Sequence, residues 1–379
     1  MILLHIYGLI VFLYVTFRLI LPSPLGYEIK WLLIAVAFVG SQYYLVVRLF
    51  SGSLASPEMP YPLLVAFSLC FVTLAVLFAL LVIRDLALLV FALVKLFGVK
   101  GTIPFSPSRR AFAVAALGGT LGVYGFQRAV AAPGVHTTEI TLERLPKALD
   151  GLTIAHITDL HATALLHGPR VAEVVKRVNA LNPDLILTTG DLIDGTPLKR
   201  KDDVAPLKDL RAKYGVYGCD GNHEYYSGYA EWMKTFGQLG ISMLHNENRV
   251  LTIKGERLVI AGINDPAAAR FGKPGPDMTA ALTNIPEDVP VVLLAHQPGF
   301  ARANAAYPVD LQLSGHTHGG QMWGFDQLVA SRNDGFLRGL YRVGNMQLYV
   351  GTGAGLWTGF PIRLGVPSEI ARIVLRSAQ

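Results

Sequence analysis

Apolar residues are distributed along this chain in two different ways. Over the first third they form long runs with few charges: Ile2–Leu21, Trp31–Phe50, Tyr61–Ile83 and Ala111–Ala132. A helix needs about 20 residues to cross a bilayer, so the pattern predicts about four transmembrane helices within residues 1–132. The fourth run is rich in Gly and Ala. It also reads as a signal-like segment, with Val130-Ala-Ala132 as a cleavage-type end. Leu86–Phe97 is apolar but short and is expected as a separate interfacial helix.

From Gly134 onward the apolar residues fall into short runs. Residues 133–150 read as a linker and 151–379 as a second domain. Strands are expected at Leu152–Thr158, Asp184–Thr189, Gly215–Cys219, Val291–Ala295, Leu311–Ser314, Gln347–Val350 and Ile370–Leu375. Val250–Ile253 and Leu258–Ile263 read as paired strands across the turn Lys254-Gly-Glu256. Val171–Leu181, Val204–Tyr214 and Tyr229–Leu239 have helical spacing. Alternating strand and helix followed by strand-rich sequence predicts an α/β domain with mixed β-sheets packed together and flanked by helices.

Charge sharpens the division. Residues 1–132 hold nine Lys/Arg and three acids, which accounts for the whole formal charge of +6, so the remainder is neutral. The excess sits beside apolar runs, and nucleic acid is therefore not the expected partner despite a sequence pI near 9.2. Basic residues gather between runs one and two (Arg18, Lys30) and between three and four (Arg84, Lys95, Lys100, Arg109, Arg110), whereas Ser51–Pro60 has none. By the positive-inside rule the basic loops face the cytoplasm and residues beyond 133 lie outside. Ser106-Pro-Ser-Arg-Arg-Ala-Phe112 also resembles a twin-arginine export signal, or is simply a positive-inside pair. The two cysteines, Cys70 and Cys219, lie in different halves and form no metal framework.

The chemistry-bearing residues stand where apolar strands stop, the place where α/β folds bind ligands. Five strand ends carry them: Asp159-Leu-His161, Gly190-Asp191-Leu-Ile-Asp194, Gly221-Asn222-His223-Glu224, Ala295-His296, and Gly315-His316-Thr-His318-Gly-Gly320. Alone each is common; together they offer carboxylates, an amide and imidazoles to divalent transition metals.

The order and spacing of these blocks resemble the calcineurin-like metallophosphoesterase superfamily over residues 150–379, and the Gly-His-Thr-His-Gly-Gly-Gln321 ending with its membrane-linked N-terminus looks like the bacterial membrane-associated phosphodiesterase branch. The resemblance implies two mixed β-sheets sandwiched between helices. It implies two divalent ions (Mn, Fe, Zn or Co), one held by Asp159, His161, Asp191 and His318, the other by Asp191, Asn222, His296 and His316. Asp191 would bridge them because a carboxylate has two anionic oxygens. A metal-bound hydroxide would attack a phosphomonoester or phosphodiester. His223 would donate a proton or stabilise the phosphoryl group, and Asp194 would orient it. The expected setting is the bacterial inner membrane with the catalytic domain on its extracytoplasmic side, where a lipid-linked or envelope substrate fits. A nuclease, or a non-catalytic metal-binding scaffold on the same fold, are the alternatives. His156 and Glu224 read as structural, the latter bracing the loop at Asn222.

Overall fold

The computed structural model describes every residue except Met1, residues 52–56, Val99, residues 103–104, Thr358 and Gln379. Half of the expected base-free loop Ser51–Pro60, residues 52–56, therefore lies outside the described residues. The chain divides into a helical unit (Met1–Leu54, Glu58–Arg128 and Gly359–Ile362) and a second unit (Ala55–Pro57, Ala129–Thr358 and Arg363–Gln379).

The helical unit contains α1 (Ile2–Val15), continued by a π turn Thr16–Ile20, then α2 (Tyr27–Ser41), α3 (Tyr43–Ser51), α4 (Tyr61–Leu96) and α5 (Pro107–Val130). Among the described residues, two helical stretches are long and apolar enough to cross a membrane, Leu3–Ile20 and Tyr61–Leu96. The pair α2–α3, bent by 56°, makes a third if taken as one span. The fourth expected run, Ala111–Ala132, is helical over most of its length and is less apolar than these stretches. Its glycines serve packing instead: a Cβ on Gly118 would lie 2.4 Å from Leu77 Cδ2, and one on Gly122 2.4 Å from Thr73 Oγ1. Such small residues let α5 approach α4 closely, the usual device where lipid removes the hydrophobic drive for helix association. Leu86–Phe97 is likewise not a separate helix, because nothing in Ile83-Arg-Asp-Leu86 breaks α4, which at 1.5 Å per residue runs for about 54 Å. Leu3, Trp31, Leu32, Leu86, Leu89 and Val90 are exposed on this unit, an apolar surface suited to lipid.

The second unit is built on two six-stranded mixed sheets. Its strands are β1 (Gly134–Leu142), β2 (Thr153–Ile157), β3 (Leu185–Thr189), β4 (Val216–Cys219), β5 (Ser242–Met243), β6 (Glu247–Ile253), β7 (Glu256–Gly262), β8 (Val291–Leu294), β9 (Leu311–Ser314), β10 (Gly339–Val343), β11 (Met346–Val350) and β12 (Glu369–Ser377). Their order is β1-β12-β2-β3-β4-β5 in one sheet and β10-β11-β9-β8-β7-β6 in the other. Strands β2, β3 and β4 are parallel neighbours, as are β7, β8 and β9.

Period-two alternation explains the layering. Leu185 and Leu187 of β3 point with Val292, Leu294, Leu311 and Leu313 into one core shared by both sheets. Ile186, one residue out of phase, packs with Val171, Val174, Val178, Trp232 and Phe236 on the outer face, from α6 (Gly168–Ala180) and α9 (Tyr229–Gln238). Between these helices lie α7 (Pro197–Val204) and α8 (Asn222–Tyr226).

Two expectations fail here. The helix expected over Val204–Tyr214 lies earlier, because Pro197 starts it at N1 and Pro206, lacking an N–H, limits the chain after Val204 to a 3₁₀ turn, Ala205–Asp209. Residues 134–142 of the expected linker are strand β1, paired in parallel along the whole of β12. Most of its side chains are exposed and polar, so only Ile140 and Leu142 carry a burial signal.

Candidate metal centre

The five strand-end blocks converge. Asp159 and His161 follow β2, Asp191 and Asp194 follow β3, Asn222 and His223 open α8 after β4, His296 follows β8, and His316 and His318 follow β9. Asp159, His161, Asp191, His316 and His318 all have φ between 44° and 69°. For non-glycine residues this left-handed backbone is uncommon and costs about 1–3 kcal/mol each. The chain turns sharply at the ends of β2, β3 and β9, and interlocking hydrogen bonds hold the turns. Asp159 N donates to Gly190 O at 3.1 Å, and His161 N to Asp191 O at 3.0 Å. His316 N donates to both Asp159 carboxylate oxygens, at 3.0 and 2.9 Å. Gly315 N donates to His296 O at 3.0 Å.

The donor atoms form groups joined at one carboxylate. Asp159, His161 and His318 make one and Asp191, His296 and His316 another, their ligand-type atoms within 4.8 Å of one another in each. His161 Nε2 lies 3.1 Å from His318 Nε2 and 3.9 Å from Asp159 Oδ1. His296 Nε2 lies 3.1 Å from Asn222 Oδ1 and 3.2 Å from His316 Nδ1. Imidazole nitrogens each about 2.1 Å from a shared ion stand about 3 to 3.5 Å apart, so this spacing fits a cation. The tautomers fit too. His161 Nδ1 faces Asp194 Oδ2 at 3.1 Å and His296 Nδ1 faces the Thr189 carbonyl at 2.7 Å. Each Nδ1 then carries the proton and each Nε2 offers its lone pair inward.

Asp191 stands between the two groups. Its Oδ2 lies 3.7 Å from His161 Nε2 and 3.2 Å from His296 Nε2. Its Oδ1 accepts the His223 backbone N–H at 2.8 Å. Asp194 is also more than a partner for His223. Its Oδ1 pairs with His223 Nδ1 while its Oδ2 takes His161 Nδ1, so one buried carboxylate orients two imidazoles. The same three side chains form a further metal-type group.

The electrostatics follow from crowding carboxylates and imidazoles out of water. Burial raises the Asp159 pKa. Burial also acts to raise Asp191, but His296 and His223 outweigh it and hold that carboxyl well below its usual range. Burial opposes charge on His223, yet Asp194 and Asp191 prevail and raise it to about 10. His316 goes the other way, pushed down to about 3 by burial and by His296.

Glu224 braces the site. Its carboxylate accepts the N–H groups of Asp191 at 2.9 Å, Leu192 at 2.7 Å and Gly221 at 2.8 Å, tying the β3 loop to the β4 loop. His156 is buried behind the site, its Nε2 2.9 Å from Thr189 Oγ1. Arg363 was not anticipated. Its buried guanidinium donates to the carbonyls of Thr352 at 2.8 Å and Gly355 at 2.6 Å, with Nη2 3.4 Å from His318 Nδ1. The available signal was the glycine run Gly351-Thr-Gly-Ala-Gly355 after β11. There a Cβ on Gly353 would lie 2.9 Å from Asp159 Cβ.

Residues 152–320 match the calcineurin-like phosphoesterase family. A transmembrane protein with metallophosphoesterase domain from Danio rerio is 35% identical over 268 residues, 68% of this chain and 61% of that protein. A metallophosphoesterase from Helicobacter pylori (strain ATCC 700392 / 26695) is 38% identical over 253 residues, 66% of each chain. One from Bacillus subtilis (strain 168) is 31% identical over 266 residues, 68% of this chain and 91% of that protein. The chain thus spans under two thirds of the length of its Danio rerio relative and nearly all of its Bacillus subtilis one. With two mixed sheets, the donor-bearing loops at their strand ends and these relatives in agreement, the chain belongs to the calcineurin-like metallophosphoesterase family.

Proposed function

We propose that the chain is a membrane-anchored phosphoesterase that holds two divalent transition-metal ions and hydrolyses phosphomonoesters or phosphodiesters. Asp159, His161, Asp191 and His318 would hold one ion and Asp191, Asn222, His296 and His316 the other. The observation that carries this reading is the position of Asp191 Oδ2 between two sets of inward-facing nitrogen and oxygen donors. When bound, the ions supply positive charge for a phosphoryl group and lower the pKa of water. The protein's own groups do the rest. Asp194 holds the His223 ring by Nδ1, leaving Nε2, 3.9 Å from Asp191 Oδ2, to deliver a proton to the leaving group. Arg363 and Glu224 keep the loops that carry the donors in place.

The side of the membrane belongs to the same proposal. Lys95, Lys100, Arg109 and Arg110 flank the connection between α4 and α5 and mark the cytoplasmic side, so α5 leads the catalytic unit to the other face, in a bacterium the outer face of the inner membrane. A lipid-linked or envelope ester is the substrate class that such anchoring favours.

The test is to strip the full-length protein with chelator, assay mono- and diesters, and restore Mn, Fe, Zn or Co singly. Activity should vanish and return with at least one metal. Asp191→Ala should empty both sites and His161→Ala chiefly one. Full activity under exhaustive chelation would overturn the proposal.

A further inference from the structure

The helical unit holds a half-open cavity of about 950 Å³ among α1, α2, α4 and α5. That lies near the upper end of the ~300–1,000 Å³ typical of ligand cavities. Its walls are apolar, with Leu33, Val36, Leu69, Leu77 and Val123 among them. One end is different. Arg18 in the π turn after α1, Arg84 in α4 and Arg110 in the first turn of α5 all line it. Asp85 accepts from Arg18 Nε at 2.6 Å and from Arg84 Nε at 2.8 Å. Arg110 Nη1 donates to the Phe105 carbonyl at 2.6 Å. Three guanidinium groups against that one carboxylate leave the end with a net charge of +2. Pro107 and Ser108 at the start of the 24-residue helix α5 also line it, so the positive end of that helix adds to the same field.

An apolar cavity with a basic end is the complement of an anionic amphiphile. A free phosphate would find no partner on the apolar walls, and a neutral lipid would leave the net positive charge of that end unbalanced. We infer that the helical unit binds an anionic glycerophospholipid, its acyl chains in the chamber and its phosphate against Arg18, Arg84 and Arg110. The apolar walls accommodate the acyl chains. The arginines supply the choice of headgroup.

Full-length protein, delipidated in detergent, is offered phosphatidylglycerol or phosphatidylcholine and the bound lipid counted by native mass spectrometry. One phosphatidylglycerol per chain should be retained in preference to phosphatidylcholine. At about 1 kcal/mol per arginine, Arg110→Gln should weaken that binding by roughly fivefold, and Arg110→Lys should restore most of it. Gly119 lines the chamber and has no atom within 4 Å of where a Cβ would stand, so Gly119→Phe should fold and fill the space. It should reduce retention of both lipids, which keeps the test decisive even if an arginine variant misfolds. Glycerol phosphate at matched concentration should not compete. Equal retention of the two lipids, unchanged binding in Gly119→Phe, or competition by glycerol phosphate as effective as by the lipid would each overturn the inference.

Discussion

Asp194 shows how much one side chain decides. A carboxylate shared between His161 and His223 couples a metal-type imidazole to the proposed proton donor. Removing such an outer partner typically costs about 10–100-fold in metal affinity. Asp194→Asn should therefore weaken metal binding as well as turnover, which isothermal titration beside a rate assay would separate. His223→Ala should lower turnover by about 10²–10⁴-fold with both metals retained, and less for esters with good leaving groups. If His223→Ala strips a metal instead, its assignment fails. His156 makes a different prediction. Burial pushes its pKa from 6.5 to about 3. Above pH 6.5 the ring is neutral in both folded and unfolded chains and no proton linkage arises. As pH falls from 6.5 toward 3, the unfolded chain takes up a proton that the folded one refuses, and stability drops by on the order of a few kcal/mol. His156→Gln should flatten that decline in chemical denaturation measured across the window. Parallel slopes for the two proteins would contradict it.

At the scale of elements, the site is made by how strands end. The donor-bearing turns after β2, β3 and β9 are bent into left-handed conformations and held by hydrogen bonds to neighbouring turns, so the strain is carried by the fold rather than by any one loop. Gly221 illustrates the tolerance. Its φ is an ordinary −119°, yet a Cβ there would lie 2.3 Å from Asp191 Oδ1. Gly221→Ala should displace the shared carboxylate, cost about 1–3 kcal/mol of stability and sharply reduce metal occupancy. Gly237, inside α9 with nothing within 4 Å of a Cβ, is the control. Gly237→Ala should stabilise by roughly 0.5–1 kcal/mol and leave metal binding unchanged. Equal metal loss in both variants would show that glycine flexibility, not contact with Asp191, matters.

At the scale of the whole molecule, the chain combines a metallophosphoesterase unit with a helical one whose exposed surface is apolar. A reporter fused after Pro133 should be active only if it functions outside the cytoplasm, because the basic residues before α5 hold that end of the helix inside. A cytoplasm-dependent reporter working there would reverse the orientation.

Much of this was legible in the sequence because it depends on local pattern. Strand-length apolar runs ending in Asp, Asn or His placed seven donor-type residues and the two flanking groups, since the alternation that buries a strand also marks where it stops. Long, mostly uncharged runs marked the apolar helices of the first unit. Other features depended on partners distant in the chain. Strand β1 looked like a linker because it is mostly exposed and gains its identity from pairing with β12, more than 200 residues away. The glycines of α5 looked like weak hydropathy until Leu77 and Thr73 of α4 stood against them. The double role of Asp194, the position of Asp191 Oδ2 between His161 and His296, and the approach of Arg363 to His318 are set by side-chain directions across loops that no spacing encodes. The sequence alone determined which donor residues end the strands, through burial periodicity, while only the tertiary structure decided which of their atoms face one another, because that depends on packing two sheets together.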